Sequence, residues 1–136
     1  MTASGTADRF VFVYGTLRRG GSNDIALRHP EARYVASAEI PATLYDLGAY
    51  PGAVLQGSTG DVNCMVRGEI YRITEQIEHA LDILEEVAED GSGEYLKRWV
   101  DVGAGSSVYS CLVYEISSSR IGGKAVIASG DWFVRG

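Results

Sequence analysis

The chain has 136 residues and a net charge of −6, with 46% apolar and 22% charged residues. That length suggests one domain with one closed core and leaves no room for a separate cofactor-binding domain. The acidic balance argues against non-specific binding to nucleic acid or to an anionic membrane. No stretch is long and apolar enough to read as a spanning helix.

Residues 1–8 are polar and small, without an apolar segment behind a basic start, and read as a flexible tail ahead of a single domain over 9–136. The first element is Arg9-Phe-Val-Phe-Val-Tyr14, an apolar run of β-branched and aromatic residues that reads as a strand buried on both faces. It stops at Gly15-Thr16-Leu17, followed by Arg18-Arg19-Gly20-Gly21. A turn at this position either simply reverses the chain after a core strand, the commoner case, or offers its unpaired N–H groups to an anion such as a carboxylate. The Arg18-Arg19 pair is local and too small to offset the acidic balance.

Ser22-Asn23-Asp24 can start a single helical turn through Ile25, Ala26 and Leu27, which His29-Pro30 ends. Tyr34 to Tyr45 reads as one or two strands interrupted at Pro41. Residues 46–52 form a loop, Ala53–Leu55 a short strand and Gly57–Asn63 a polar turn. Cys64–Ile73 is a strand in which Ile70 and Arg72 face one way and Tyr71 and Ile73 the other. Gly68 within it marks a bulge or a close backbone approach. Thr74 can cap the one clear helix, expected over about Glu75–Glu89. Tyr95–Val102 and Val108–Ile116 are strands, Ser117–Gly123 a loop, and Val126–Ala128 a last short strand. Seventeen glycines against three prolines, with strands that do not alternate regularly with helices, indicate an α+β fold. Its sheet is expected to be mixed and curled or barrel-like, with one main helix against it.

Several chemistries lack their residues. His29 and His79 lie in unrelated contexts, so no His-based zinc site is expected. Cys64 and Cys111 are far apart and read as buried thiols of a cytoplasmic protein. Neither Gly-x-Ser-x-Gly nor Gly-x-Gly-x-x-Gly occurs. Gly122-Gly123-Lys124 resembles the end of a phosphate loop, but Ser118 and Ala125 stand where Gly and Ser or Thr are needed.

Carboxylates remain. On the helix, Ile77, Ala80, Leu81, Leu84, Val87 and Ala88 form an apolar stripe, and Glu75, Asp82, Glu86 and Glu89 lie on the wet side. Glu85 sits about 40° from Leu81, on the shoulder of the stripe. It is either a half-buried base with a raised pKa or the partner of a Lys or Arg at the core edge, and Glu78 lies on a similar shoulder.

Four stretches taken together, Tyr14-Gly-Thr-Leu17, Leu44-Tyr-Asp-Leu-Gly-Ala-Tyr-Pro51, Gly68-Glu-Ile-Tyr71 with Leu81-Asp-Ile-Leu-Glu85 and Tyr95, and Ser129-Gly-Asp-Trp132, resemble the gamma-glutamylcyclotransferase-like family in order. The resemblance is to the branch with gamma-glutamylamine cyclotransferases and the AIG2-like and YtfP-like proteins. It implies a cofactor- and metal-independent enzyme that converts an L-γ-glutamyl amine or amide to 5-oxoproline and a free amine. Glu85 would be the catalytic residue. Tyr14, Gly15, Thr16 and Leu17 would form the substrate cradle together with Tyr95, and a small γ-glutamyl molecule, not nucleic acid or membrane, would be the partner. The alternative is a protein that binds a small anionic metabolite in the same cavity without turning it over. Departures from the family pattern, the acidic stretch from Glu86 to Glu94 and Lys97-Arg98 in place of the usual Arg, are expected at the mouth of the site.

Overall fold

The computed structural model describes residues 9–55, 64–85 and 93–134. One seven-stranded mixed sheet is built from β1 (Arg9–Val13), β2 (Arg33–Asp46), β3 (Pro51–Leu55), β4 (Met65–Ile73), β5 (Tyr95–Ala104), β6 (Ser107–Ile116) and β7 (Ala125–Val126). The helices are α1 (Ile25–Arg28) and α2 (Glu75–Leu84). The strand order is β1-β4-β2-β3-β6-β5, and β1 also pairs in parallel with β6, at Phe10↔Cys111 and Val11↔Leu112. That pairing closes β1, β4, β2, β3 and β6 into a five-stranded barrel, with β5 running antiparallel to β6 outside it. The expected α+β fold with a curled mixed sheet and one main helix is what the chain adopts.

The two faces of β1 explain why its sequence has no polar residue between Phe10 and Tyr14. Val11 and Val13 pack with residues of both helices, including Ile25, Ile77 and Leu81. Phe12 and Tyr14 enter a second cluster that takes side chains from all five barrel strands, among them Ile40, Ala53, Ile70 and Val113. Gly68 proves to be a close approach: a Cβ there would lie 2.3 Å from the Val13 carbonyl oxygen. Of the two cysteines, Cys111 is buried and Cys64 only half-buried, and the two are not joined in a disulfide.

Three expectations need correction. Pro41 does not interrupt β2, which runs unbroken from Arg33 to Asp46. The β2–β4 ladder ends at Pro41↔Met65 and the β2–β3 ladder begins at Ala42↔Leu55, so the proline falls where one partner hands over to the other. The 46–52 loop is shorter than expected, because β3 already starts at Pro51. Helix α2 stops at Leu84, with Glu85 as its C-cap and no basic residue in the last turn. Further acidic residues there would face the negative end of the helix dipole. Glu86–Glu89 and the expected turn at Gly57–Asn63 lie outside the described residues.

At the other end of α2, the Thr74 side chain accepts from the Ile77 amide at 3.2 Å, the cap the sequence predicts. Thr74→Ala is expected to lower stability by about 1 kcal/mol, read from the denaturant midpoint. Among the described residues, no helix is long and apolar enough to cross a membrane.

Candidate active site

Strand β1 delivers the chain into the turn at Gly15. A Cβ on Gly15 would come within 2.6 Å of the Pro51 Cγ, so the turn can lie this close to the start of β3 only as glycine. The turn is tied from several sides. Asn23 donates its amide to the Thr16 carbonyl at 2.9 Å and its side-chain Nδ2 to Thr16 Oγ1 at 3.1 Å. The Ile25 amide donates to the Leu17 carbonyl at 3.0 Å. The amides of Gly15, Thr16 and Leu17 themselves have no acceptor among the described residues.

Arg18, half of the local basic pair, has a structural place of its own. It is buried, with Nε 3.1 Å from Glu69 Oε2 and Nη1 2.7 Å from Asp131 Oδ1. Its guanidinium also lies over the Phe133 ring, and Glu69 Oε1 accepts from the Arg19 amide at 2.9 Å. The Tyr-Gly-Thr-Leu turn is therefore anchored to β4 and to the Ser129–Trp132 stretch through one residue just beyond it.

Next to the turn lies a cavity of about 210 Å³. Phe12, Val13, Tyr14, Gly15, Thr16 and Leu17 form one wall, with Asn23 beside them. Tyr50 and Pro51, from the β2–β3 connection, form another. Leu84 and Glu85 at the end of α2, Glu94 and Tyr95 at the start of β5, and Tyr114 of β6 complete it. All six site residues expected from the sequence, Tyr14, Gly15, Thr16, Leu17, Glu85 and Tyr95, thus line one cavity.

The cavity's tyrosines are committed to the scaffold. Tyr14 donates its hydroxyl proton to the Tyr114 carbonyl at 2.6 Å and accepts from the Ala53 amide at 3.0 Å. Tyr95 donates to the Pro51 carbonyl at 2.6 Å, and Tyr114 to Asp82 Oδ1 at 2.7 Å. Burial raises the pKa of all three, and the Glu85 carboxylate adds to this, so they stay neutral. Tyr14 and Tyr95 can offer a ligand their rings and oxygen lone pairs, but their hydroxyl protons are already donated to backbone carbonyls.

Glu85 is half-buried, and its carboxyl is pushed up to about 7, first by burial and then by the charge of Glu94. The other shoulder carboxylate, Glu78, does not line the cavity. It accepts from Lys97 Nζ, and its Oε1 lies 2.9 Å from Arg9 Nε. Lys97 also donates to Asp82 Oδ2 at 3.1 Å, clamping α2 to β5, and Arg98 donates to Glu115 at 3.0 Å. Neither basic residue lines the cavity, so the Lys97-Arg98 departure belongs to the scaffold and not to the mouth of the site. Among the described residues the lining contains no Lys, Arg or His.

Sequence reasoning did not single out Glu94, Tyr50 or Asn23. Glu94 closes the acidic stretch expected at the mouth of the site; it lines the cavity, is buried and accepts the Tyr50 hydroxyl at Oε2. The usable signal was its place directly before Tyr95.

Residues 11–134 match the family described as gamma-glutamyl cyclotransferase, AIG2-like. A protein from Vibrio cholerae serotype O1, named provisionally as a gamma-glutamylcyclotransferase, is 36% identical over 126 residues, spanning 92% of this chain and 96% of that one. The gamma-glutamylcyclotransferase family protein YtfP of Escherichia coli K12 is 34% identical over 127 residues, with 92% and 96% covered. Among solved structures, a mouse AIG2-like protein superposes with a TM-score of 0.66 at 26% identity, over 82% of this chain and 78% of that one. The chain belongs to the gamma-glutamyl cyclotransferase, AIG2-like family. It is a gamma-glutamylcyclotransferase-like enzyme, in a family that acts on small γ-glutamyl substrates.

Proposed function

We propose that this enzyme closes an L-γ-glutamyl amine or amide to 5-oxoproline and releases the free amine, with Glu85 as general base and then general acid. The observation that carries this is a carboxyl pushed up to about 7 in the same cavity as three backbone amides that find no acceptor among the described residues. The substrate's α-carboxylate docks on the Gly15, Thr16 and Leu17 amides, which offer N–H donors to an anion. The α-ammonium gives one proton to Glu85 and, as the free amine, attacks the γ-carbonyl carbon. A carbon–nitrogen bond forms within the chain, the original amide bond breaks as Glu85 hands that proton to the departing nitrogen, and Glu85 then takes the second proton from the ring nitrogen and passes it to the released amine.

Because nucleophile and carbonyl belong to one molecule, holding the chain folded supplies much of the acceleration. A carboxyl with a pKa near the working pH serves these proton transfers. The sequence of steps uses no metal or organic cofactor. Cysteines outside any disulfide and a net charge of −6 fit a cytoplasmic setting with a small molecule, and neither nucleic acid nor membrane, as partner.

The test is a panel of γ-glutamyl amino acids, γ-glutamyl-ε-lysine and γ-glutamyl-protected biosynthetic intermediates, assayed for 5-oxoproline. At least one member is expected to be turned over; a ligand that binds tightly and is recovered unchanged would favour the non-catalytic alternative. For a substrate that reacts, kcat/KM is expected to fall about tenfold per unit as pH drops below about 7, as Glu85 takes up its proton. A profile flat from pH 5 to 8 would exclude Glu85 as the base.

A further inference from the structure

Two carboxylates share this cavity, and the reaction as drawn uses one. Glu94 is buried at the start of β5, beside Tyr95 and across from the end of α2. Its Oε2 accepts the hydroxyl of Tyr50, which reaches over from the β2–β3 connection. Its Oε1 has no partner among the described residues. Lys97 is paired with Glu78 and Asp82, Arg98 with Glu115, and Arg18 with Glu69 and Asp131. A buried carboxylate needs a countercharge or hydrogen bonds to offset its lost hydration. With no cation in the described lining, a bound ligand can supply one.

We propose that Glu94, held in place by the Tyr50 hydroxyl, is the docking group for the substrate's α-ammonium, leaving Glu85 to take its proton. This rests on the cyclotransferase reading for the identity of the ammonium, though not for the preference for a cation. The division of labour follows from the chemistry. A γ-glutamyl compound arrives as an ammonium but reacts as an amine, so one carboxylate must attract the cation and another must remove a proton. A single glutamate doing both would weaken its own attraction on protonation. Glu94 anchored by Tyr50 keeps the nitrogen in the cavity after Glu85 has become neutral.

The first measurement needs no variant. L-glutamine is the smallest γ-glutamyl amide, and glutaramic acid is the same molecule without the α-ammonium. Calorimetric titration of the intact protein is expected to show L-glutamine binding about 10- to 100-fold tighter, the range of a charge-assisted hydrogen bond. Glu94→Gln is expected to reduce that preference to about threefold or less, and Tyr50→Phe to weaken it partway. On a reactive substrate, Glu94→Gln should raise KM about 10- to 100-fold while kcat stays within about tenfold.

A pH readout separates docking from mere structural support. Glu85 is faced by Glu94 and by the hydroxyls of Tyr14, Tyr95 and Tyr114, and the tyrosines stay neutral throughout. Removing the Glu94 charge should therefore shift the acid limb of kcat/KM to lower pH. Equal binding of L-glutamine and glutaramic acid by the unaltered protein would overturn the proposal. A folded Glu94→Gln with unchanged preference and an unmoved acid limb would do the same. Should Glu94→Gln not fold, Tyr50→Phe and the unaltered protein's binding ratio decide. Turnover with equal binding removes Glu94 docking alone, whereas preferential L-glutamine binding with no 5-oxoproline from any substrate upholds it and removes the cyclotransferase reading.

Discussion

Glu85→Gln is expected to lose turnover and gain stability at the same time. Gln is nearly isosteric and still hydrogen-bonds, so the cavity keeps its shape. It cannot accept a proton, so the general-base contribution disappears and kcat falls by about 10²–10⁴. The remaining rate comes from the folded geometry the site still imposes on the substrate. Stability moves the other way because the folded-state pKa of Glu85 is raised, from 4.5 to about 7. Between those values the folded protein binds more protons than the unfolded chain, so stability falls as pH rises through the window. Above about pH 7 the wild type carries the full penalty of an ionised, half-buried carboxylate, on the order of 1–3 kcal/mol. The variant carries none. Denaturation curves of the two proteins should converge near pH 4 and separate toward pH 8, with Glu85→Gln the more stable. Glu75, an exposed acid on the first turn of α2, supplies the control, and Glu75→Gln should stay within about 0.5 kcal/mol and near full activity. Equal turnover by the two variants would remove Glu85 from the mechanism.

What the sequence made legible was local. An unbroken apolar run ending at glycine defined β1 and its turn, because a strand buried on both faces tolerates no polar residue. Thr74 before an amphipathic stretch marked the start of α2, and the position of Glu85 beside Leu81 placed one carboxylate at the edge of the core. Choosing Glu85 over Glu78 was not possible from helical geometry, since both sit on shoulders. The choice depends on Arg9 and Lys97, which reach Glu78 from two other strands. Barrel closure was legible only as a tendency to curl, because the β1–β6 pairing joins residues about a hundred positions apart. Pro41 misled for a related reason: a missing N–H ends a strand only if a ladder needs it, and here the ladder changes sides. Glu94 belongs to the acidic stretch expected at the mouth of the site, but its burial beside Tyr50 depends on a contact 44 residues away in sequence.

Arg18 is the extreme case of this non-local dependence, and its removal is expected to have the largest effect on stability. Beside Arg19 and two glycines nothing in the sequence marks it for burial, since its partners Glu69 and Asp131 lie 51 and 113 residues away. In the fold its side chain is 9% exposed, and that of Glu69 is 8% exposed. Arg18→Met keeps much of the length but leaves two carboxylates without their shared cation. Stranding a buried charge in this way costs about 3–5 kcal/mol, a large fraction of a small domain's total stability. The effect should reach the site, because Arg18 immediately follows the Gly15–Leu17 amides and fixes their position against β4. Where Arg18→Met remains folded, at low temperature or with stabilising osmolyte, KM for a γ-glutamyl substrate should rise more than kcat falls. Adding Glu69→Gln should recover part of the loss. It removes one stranded charge while leaving an oxygen to accept from the Arg19 amide and the Tyr71 hydroxyl, which now meet Glu69 Oε1 at 2.9 and 3.2 Å. A double-mutant cycle by urea denaturation should give a coupling above about 1 kcal/mol. Additive losses would mean that Arg18 holds the turn by packing over Phe133 and not by pairing with Glu69.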